Sequence, residues 1–469
     1  MSYAELAIPF IKAHRQSERV ALMDDTDSLT YRELSEAVER RAQNWQQIVT
    51  LHRPLVMMLI DNSITSVVDY LTALSLDYVV LLLNPACSLV TREQYSQALT
   101  PNAVIGDGTV TLLHNEPLPT DARLSLLLST SGSTGAGKCV ALSQHNLMAN
   151  CDAILAYLPI VAEDITLATL PLSYSYGLSV LHTHLKAGAA ICFTRHSVFD
   201  KAFWELVKNR PVTSLAGVPS FYEMLLRLRF TRMALPALRY FTQAGGKLAE
   251  AHVTGLAEYA KQTDKAFYVM YGQTEATARM AYLAPEKVLE KPQSIGQPIA
   301  GGEFKLVDGL ASECTEGELY YRGDNVMLGY VASVSDLQAF EPSEWLATGD
   351  LAVCDEEGDY TIIGRNKRMI KLAGERINLD VVEQLYLKEL AVLNLTSPAC
   401  VIGTDDKIIA VYAGFLADGS RQNVLAALVK SLALPKRNLQ LNVIDALPLL
   451  DNGKIDYAQL NKRLAARED

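Results

Sequence analysis

Apolar residues recur along this chain in two rhythms that alternate. From Tyr31 to Ile48, the residues Leu34, Ala37, Val38, Ala42, Trp45 and Ile48 fall at helical spacing, which predicts a helix with one face on a core. The runs Leu55 to Ile60 and Tyr78 to Leu83 are short and continuously apolar, the pattern of parallel strands buried on both faces. Helical stretches separate them, and the same alternation returns from Ile165 to Tyr271. An α/β architecture follows. There is no internal repeat, low-complexity tract or long Pro/Ser linker, so any domain boundary is expected at a short hinge.

Composition narrows this picture. A chain of 469 residues is expected to hold more than one domain, and 49% apolar with 20% charged residues is the make-up of a globular protein. Its net charge of −11 argues against a surface built for nucleic acid. The charge is uneven: residues 366–469 carry 14 Lys/Arg against 12 Asp/Glu, near +2, which leaves the body near −13. That shift marks the expected boundary between an N-terminal domain, 1–365, and a C-terminal one, 366–469. A slightly basic small domain suits an anionic partner such as an acidic carrier protein or a phosphorylated cofactor, and ordinary solvated faces explain so small an excess equally well. Seven cysteines without a C-x-x-C pair speak against a disulfide framework or zinc site. The start, MSYAELAIPFIKAHRQ, lacks the pattern of a secretory signal, and no stretch reaches the ~18 apolar residues of a membrane span. The expectation is a reduced, cytoplasmic protein without stable membrane insertion.

Candidate chemistry begins at STSGSTGAGKCVALS, Ser129 to Ser143. Gly132, Gly137 and Lys138 fit G-x-x-x-x-G-K, but Cys139 stands where a Walker loop has Ser or Thr, and a thiol is a poor ligand for Mg²⁺. Cys139 to Leu142 reads as a strand, with helix signals only from Ser143, so the segment predicts strand, phosphate-gripping loop, strand. A ligand-free Gly/Ser turn fits these residues alone equally well. Four further clusters follow. YGQTEA, Tyr271 to Ala276, ends an apolar strand (Ala266 to Met270), where α/β sheets bind ligands. WLATGDL sets Asp350 after a Thr-Gly turn, able to accept both hydroxyls of a ribose. GRNKRMIKLAGERINLDVVE is denser in Arg, Lys and Gly than a packed core tolerates. DNGKIDY presents Lys454 after an Asn-Gly turn. A turn, an Asx cap, a charged linker and a solvated lysine are the plain readings of the four, and their joint occurrence in one order is what counts against those readings.

On these motifs, together with LPLSYSYG, QAGGKL and GELYYRG in that family's order, the chain resembles the adenylate-forming (AMP-binding) superfamily of acyl-CoA synthetases, peptide-synthetase adenylation domains and firefly luciferase. The match runs from about Leu29 to Tyr457. The resemblance implies a large N-terminal body of two α/β sheets and a distorted β-barrel, with a small mobile α+β C-terminal domain. It implies a two-step reaction: a carboxylate attacks the α-phosphate of ATP to give an acyl-adenylate and pyrophosphate, and a pantetheine thiol of CoA or an acyl carrier protein then takes the acyl group and releases AMP. It also implies roles for residues. Thr130, Ser131, Gly132, Ser133, Thr134, Gly135 and Lys138 would hold the outer phosphates. Glu275, with Thr134, would hold Mg²⁺. Tyr271 would stack on adenine beside Gly272, Gln273 and Thr274, Asp350 and Arg365 would grip the ribose, and Gly245 and Gly246 would form a wall without side chains. Lys454 would neutralise the crowded oxygens of the first step, where a charge at about 4 Å and an effective dielectric near 20 is worth roughly 4 kcal/mol, about a thousandfold in rate. Lys367 would be the hinge residue, and Gly374 would line the thiol's tunnel.

The loop departs from the family's T-G-x-P-K-G, since Gly137 replaces Pro and Cys139 replaces Gly, which places a side chain where none is usual. The acyl pocket is expected from Tyr174, Ser175, Tyr176, Gly177, Val218, Pro219 and Tyr268 beside Gly245, and Tyr174 stands where many members have His or another aromatic. Asp200 in SVFDKAFWE echoes only loosely the Asp with which amino-acid-activating relatives hold an ammonium. An aryl or medium-chain acid without an amino group is therefore favoured, over a freestanding amino-acid adenylation enzyme and an inactive nucleotide-binding relative. Lys436 and Arg437 could meet the CoA 3′-phosphate, an acidic carrier helix, or only water.

Overall fold

A computed structural model of the chain describes residues 6–129, 137–308, 314–372, 375–404, 407–432, 435–450 and 455–465. The helix over Tyr31–Ile48 forms as the apolar spacing predicts. The Thr30 hydroxyl accepts from the Glu33 amide while the Glu33 carboxylate accepts from the Thr30 amide, a capping box worth ~1 kcal/mol. Leu34, Val38, Ala42 and Trp45 are buried by it. Ala37 is half-buried, and Ile48, 46% exposed, lies off that face.

The chain packs as two compact units, Met1–Glu303 with Arg322–Leu346 and Phe304–Tyr321 with Ala347–Asp469. The first holds two sheets. One has a parallel centre of Ala266–Tyr271, Tyr240–Gln243, Ser214–Gly217, Ile165–Leu167, Ala190–Cys192 and Val20–Met23, with Ser294–Pro298 and Ala281–Leu283 added antiparallel at one side and Ser28–Thr30 at the other. The second runs Gly329–Val331, Cys139–Ser143, Leu124–Ser129, Val79–Leu83, Leu55–Leu59, Ala103–Gly106, Thr109–Leu112. The apolar runs Leu55 to Ile60 and Tyr78 to Leu83 form the strands Leu55–Leu59 and Val79–Leu83, which pair in parallel, residue for residue. Their side chains feed the cores on both faces, Val80 and Leu82 on one, Leu81 and Leu83 on the other.

The second unit contains all but the boundary residues Arg322 and Leu346 of the strands Glu316–Arg322 and Leu346–Cys354, with the strand Tyr360–Arg365, a hairpin of Met369–Leu372 and Glu375–Asn378, and a three-stranded sheet of Ala399–Gly403, Ile408–Ala413 and Leu439–Ile444. The helices Leu379–Val392, Asp418–Leu432 and Tyr457–Ala465 belong to it. Asp350 lies inside the strand Leu346–Cys354, which continues through the Thr-Gly pair instead of turning there, with Gly349 at a φ of +75° that favours glycine. All seven cysteines are free thiols.

Candidate active site

The strand Cys139–Ser143 returns antiparallel on Leu124–Ser129, with Ser129 opposite Cys139, and the helix Gln144–Leu155 begins only after it. This is the strand, loop, strand order read from the sequence, unlike a Walker loop that runs straight into a helix. The expected phosphate residues Thr130, Ser131, Gly132, Ser133, Thr134 and Gly135 lie outside the described residues. Lys138 is exposed, with its ammonium 5.6 Å from the centre of the Tyr330 ring. The unusual Cys139 side chain points into the core beside Leu328 and Leu337, where burial pushes its thiol up to about 12. Its bulk is thus absorbed by packing.

The exit of the loop is stapled to the YGQTEA segment by residues 324–331. Ser143 caps the helix Gln144–Leu155, and the side-chain amide of Asn146 donates to the carbonyls of Asp324 (2.7 Å) and Val326 (2.9 Å). The Leu328 amide donates to Ala141 and the Met327 amide to the Glu275 carbonyl, each at 2.8 Å. Gly329, Tyr330 and Val331 then pair with Ala141, Val140 and Cys139. In consequence the Tyr330 hydroxyl donates to the Glu275 carboxylate at 2.8 Å. Burial, and then the Glu275 charge, raise that phenol well above its ordinary range, so it stays a donor. Lys138, Tyr330 and Glu275 form one cluster.

The turn that carries Glu275 is strained. Thr277 has φ +65° and ψ −56°, and the Ala278 amide donates to the Ala276 carbonyl at 2.7 Å, which together make a γ-turn of the rare kind. A β-branched residue there costs about 1–3 kcal/mol and persists only where the surroundings over-determine it. Asn325 and Asn150 do so. The Asn325 side chain donates to the carbonyls of Ala276 and Arg279, both at 2.9 Å, its own carbonyl accepts from the Thr277 hydroxyl at 2.7 Å, and Asn150 donates to the Arg279 carbonyl at 2.9 Å. Gly272 is required by the same fold-back, since a β-carbon there would overlap the Ala278 carbonyl oxygen. Tyr271 is half-buried at the end of its strand. The amide nitrogen of Gln273 is buried without an acceptor among the described residues.

Gly245, at φ +82°, has the Tyr174 hydroxyl 2.6 Å and a Val218 methyl 3.1 Å from where a β-carbon would stand, and Gly246 lies against Pro219. The Ser175 hydroxyl is 3.3 Å from that of Thr274, which joins this wall to the YGQTEA turn. The remaining expected pocket residues are more deeply packed. Tyr176 is fully buried with its hydroxyl 2.8 Å from that of Thr242, Gly177 fits the helix Ser175–Ala187 against the Leu170 and Pro171 carbonyls, and Tyr268 lies 6.1 Å, ring to ring, from Tyr157. Arg279 lies under Tyr176. Only 2% exposed, it rests its guanidinium 3.8 Å from the centre of the Tyr176 ring and donates from Nε to the Met270 sulfur at 3.3 Å. It has no ion pair among the described residues. A lone buried cation costs several kcal/mol, of which the ring face and sulfur return about 2.

In the second unit Asp350 and Arg365 face each other across paired strands, Nε to Oδ1 3.0 Å. Asp350 is 7% exposed and Arg365 exposed. Arg368 pairs with Asp380 (2.5 Å) and Glu383 (2.8 Å) and lies over the Tyr457 ring, while burial raises the Glu383 carboxyl. The backbone of Lys367 lies in the short turn Asn366–Arg368 before this cluster. Its side chain, Gly374 and Lys454 are outside the described residues.

The sequence reading missed Tyr330, Asn325 and Arg279. Each lies far in sequence from its partner or in a segment without a motif, and only the asparagine of GDN, next to GELYYRG, hinted at a role. Among the described residues no group of three His, Cys, Asp or Glu gathers to hold a metal. Glu275 presents one hard carboxylate, which fits Mg²⁺ only if phosphate oxygens and water supply the rest of its shell.

The profile of the family described as AMP-binding enzyme matches residues 90–331. A 2-succinylbenzoate–CoA ligase of Bacillus pumilus is 27% identical over 96% of this chain and 96% of its own length. A feruloyl-CoA synthase of an Amycolatopsis species is 31% identical over 72% of this chain and 69% of its own. Among solved structures, the o-succinylbenzoate CoA synthetase of Bacillus subtilis bound to its acyl-adenylate intermediate is similar in fold, with a TM-score of 0.78 and 24% identity over 97% of this chain and 98% of that one. The Bacillus subtilis enzyme with ATP and magnesium gives the same TM-score at 22% identity, covering 96% and 99%.

Proposed function

Because this chain belongs to the AMP-binding enzyme family, we propose that it is an AMP-forming acid–thiol ligase, which activates a carboxylic acid with ATP and passes the acyl group to a pantetheine thiol. The carboxylate oxygen bonds to the α-phosphorus as the bond to pyrophosphate breaks. The thiol sulfur then bonds to the acyl carbon, AMP leaves, and the thiol proton is released. The observation that carries the reading is the convergence of Lys138, Tyr330 and Glu275 at the exit of the glycine-rich loop. A cation there meets the outer phosphates, and the Tyr330 hydroxyl holds the Glu275 carboxylate in one orientation. Mg²⁺ held at Glu275 would supply neutralisation of phosphate charge. Gln273 offers its unpaired amide to the nucleotide, and Asp350 with Arg365 takes the ribose hydroxyls.

CoA is the acceptor that the names of the relatives favour, and an acyl carrier protein is the alternative. Lys454 supplies the first step's charge, and rotation of the C-terminal domain about Lys367 exchanges it for a thiol tunnel at Gly374. The enzyme is cytoplasmic. No helix among the described residues is long and apolar enough to cross a membrane. Exchange of labelled pyrophosphate into ATP across a panel of acids, 2-succinylbenzoate and ferulate included, tests adenylation, and the best acid is then offered CoA and carrier proteins. Lys454→Ala is expected to lose exchange yet still transfer acyl groups from a supplied acyl-adenylate. Exchange with no acid in the panel would refute the reading.

A further inference from the structure

We infer that Arg279 receives a second anionic group of the acyl substrate, so that the acids activated here carry a negative charge at the end remote from the carboxylate that reacts. The inference rests on the adenylation reading and adds to it the chemical class of substrate.

Three observations carry it. Arg279 is 2% exposed and has no carboxylate in ion-pair contact among the described residues. A methionine or leucine would cover the Tyr176 ring without the cost of taking a guanidinium out of water, so packing alone gives no reason for an arginine here. Secondly, its position is enforced. The γ-turn at Thr277, held by Asn325 and Asn150, fixes the Arg279 backbone through both its amide and its carbonyl. Strain held by so many contacts is characteristic of ligand sites.

Thirdly, Arg279 lines a small cavity together with the hydroxyl residues Thr166, Ser214 and Thr242 between the sheet and the helix Ser175–Ala187. His184, on the same wall, is held neutral by burial, which lowers it to about 4. Arg279 is therefore the cation of that cavity. The space is about 10 Å³, room for about one water. Tyr174 and Tyr176 lead from Gly245 to Arg279: the Tyr174 hydroxyl fills the space over Gly245, its ring meets the Tyr176 ring edge-on at 6.3 Å, and the Arg279 guanidinium rests on the Tyr176 ring. An acid whose reacting end lies at Gly245 would displace Tyr174 and set its far end against Tyr176 and Arg279.

Pyrophosphate exchange with paired substrates tests this. Succinate, glutarate, adipate and terephthalate are each compared with their monomethyl esters, with benzoate and octanoate as plain monoacids. In the wild-type chain at least one diacid is expected to exceed its monoester by about 30-fold or more in kcat/KM, the lower range for stranding one partner of a buried charge pair. Arg279→Met should abolish that preference, bringing the kcat/KM ratio of diacid to monoester to about one, and Arg279→Lys should keep part of it. Should Arg279→Met fail to fold, the wild-type ratio decides by itself. Monoesters or plain monoacids that exchange as well as every diacid would overturn the inference while adenylation stands. Exchange with no acid of any kind would remove adenylation and this inference together.

Discussion

Asn325→Ala is the substitution that most directly probes how the fold holds Glu275. It deletes two hydrogen bonds of 2.9 Å, to the carbonyls of Ala276 and Arg279. Neither carbonyl is orphaned: Ala276 keeps the Ala278 amide at 2.7 Å and Arg279 keeps Asn150 at 2.9 Å. The loss is therefore about 1 kcal/mol per bond rather than the full penalty for a stranded acceptor, and the small void left adds less than about 1, for about 2–3 kcal/mol in all. The strain stored at Thr277, about 1–3 kcal/mol, is then free to relax, which rotates the peptides on either side of Thr277 and shifts the turn that carries Glu275. A displacement near 1 Å at a metal- or phosphate-binding carboxylate costs up to about a hundredfold in rate. Urea unfolding should show the stability loss, and pyrophosphate exchange at saturating acid should fall about 10- to 100-fold. Asn325→Asp, which keeps the shape but sets carboxylate oxygens against the two carbonyls, should be worse on both counts. If Asn325→Ala lost its stability while its exchange parameters stayed within about twofold of wild type, the idea that this asparagine holds the catalytic turn would be wrong.

Other outcomes follow from single contacts. Gly272→Ala should not fold stably, because its β-carbon has no room at Ala278, whereas Gly255→Ala, in open space on the helix Glu250–Gln262, should raise the melting temperature by the equivalent of about 0.4–1 kcal/mol. Asp350→Ala should raise the KM for ATP about 10-fold or more and leave that for the acid nearly unchanged; Arg365→Ala, at the exposed end of the pair, should do less, and equal shifts in both constants would deny Asp350 a ribose role. Brief iodoacetamide labelling at pH 8, read by mass spectrometry, should spare buried Cys139, Cys151, Cys192 and Cys400 and modify Cys87, Cys314 and Cys354. Burial lowers His182 to about 3 and His184 to about 4, so the unfolded chain binds the extra protons below the ordinary value of 6.5. Their contribution is complete above pH 6.5 and falls by up to ~1.4 kcal/mol per pH unit for each as the pH drops towards 4, a slope that urea melts of His182→Gln should show reduced.

The elements and the family were legible because their signals are local. Leu34, Val38, Ala42 and Trp45 mark one face of a helix by spacing alone, and Thr30 with Glu33 marks its start. The apolar runs at Leu55 and Val79 cannot be solvated, so they had to be interior strands. Cys139 in place of a hydroxyl argued against a Walker loop before any coordinates, and the strand on its C-terminal side agrees. The resemblance assigns Asp350 and Arg365 to one ribose, and the strand register sets the two residues opposite each other.

What the sequence could not express is which distant residues share a charge or a hydrogen bond. Tyr330 is an unremarked aromatic until Asn146 and the 324–331 segment fasten it over Glu275, and Asn325 gains its role only where a strained turn needs two donors. Cys139 was read as an intrusion into the loop, and the pleat turned it into the core, because a strand assigns alternate side chains to opposite faces whatever their chemistry. Arg279 shows the limit most clearly. In one dimension it is a charged residue beyond a motif, and burial without a counter-charge, a property of packing in three dimensions, is what makes it a candidate reader of substrate.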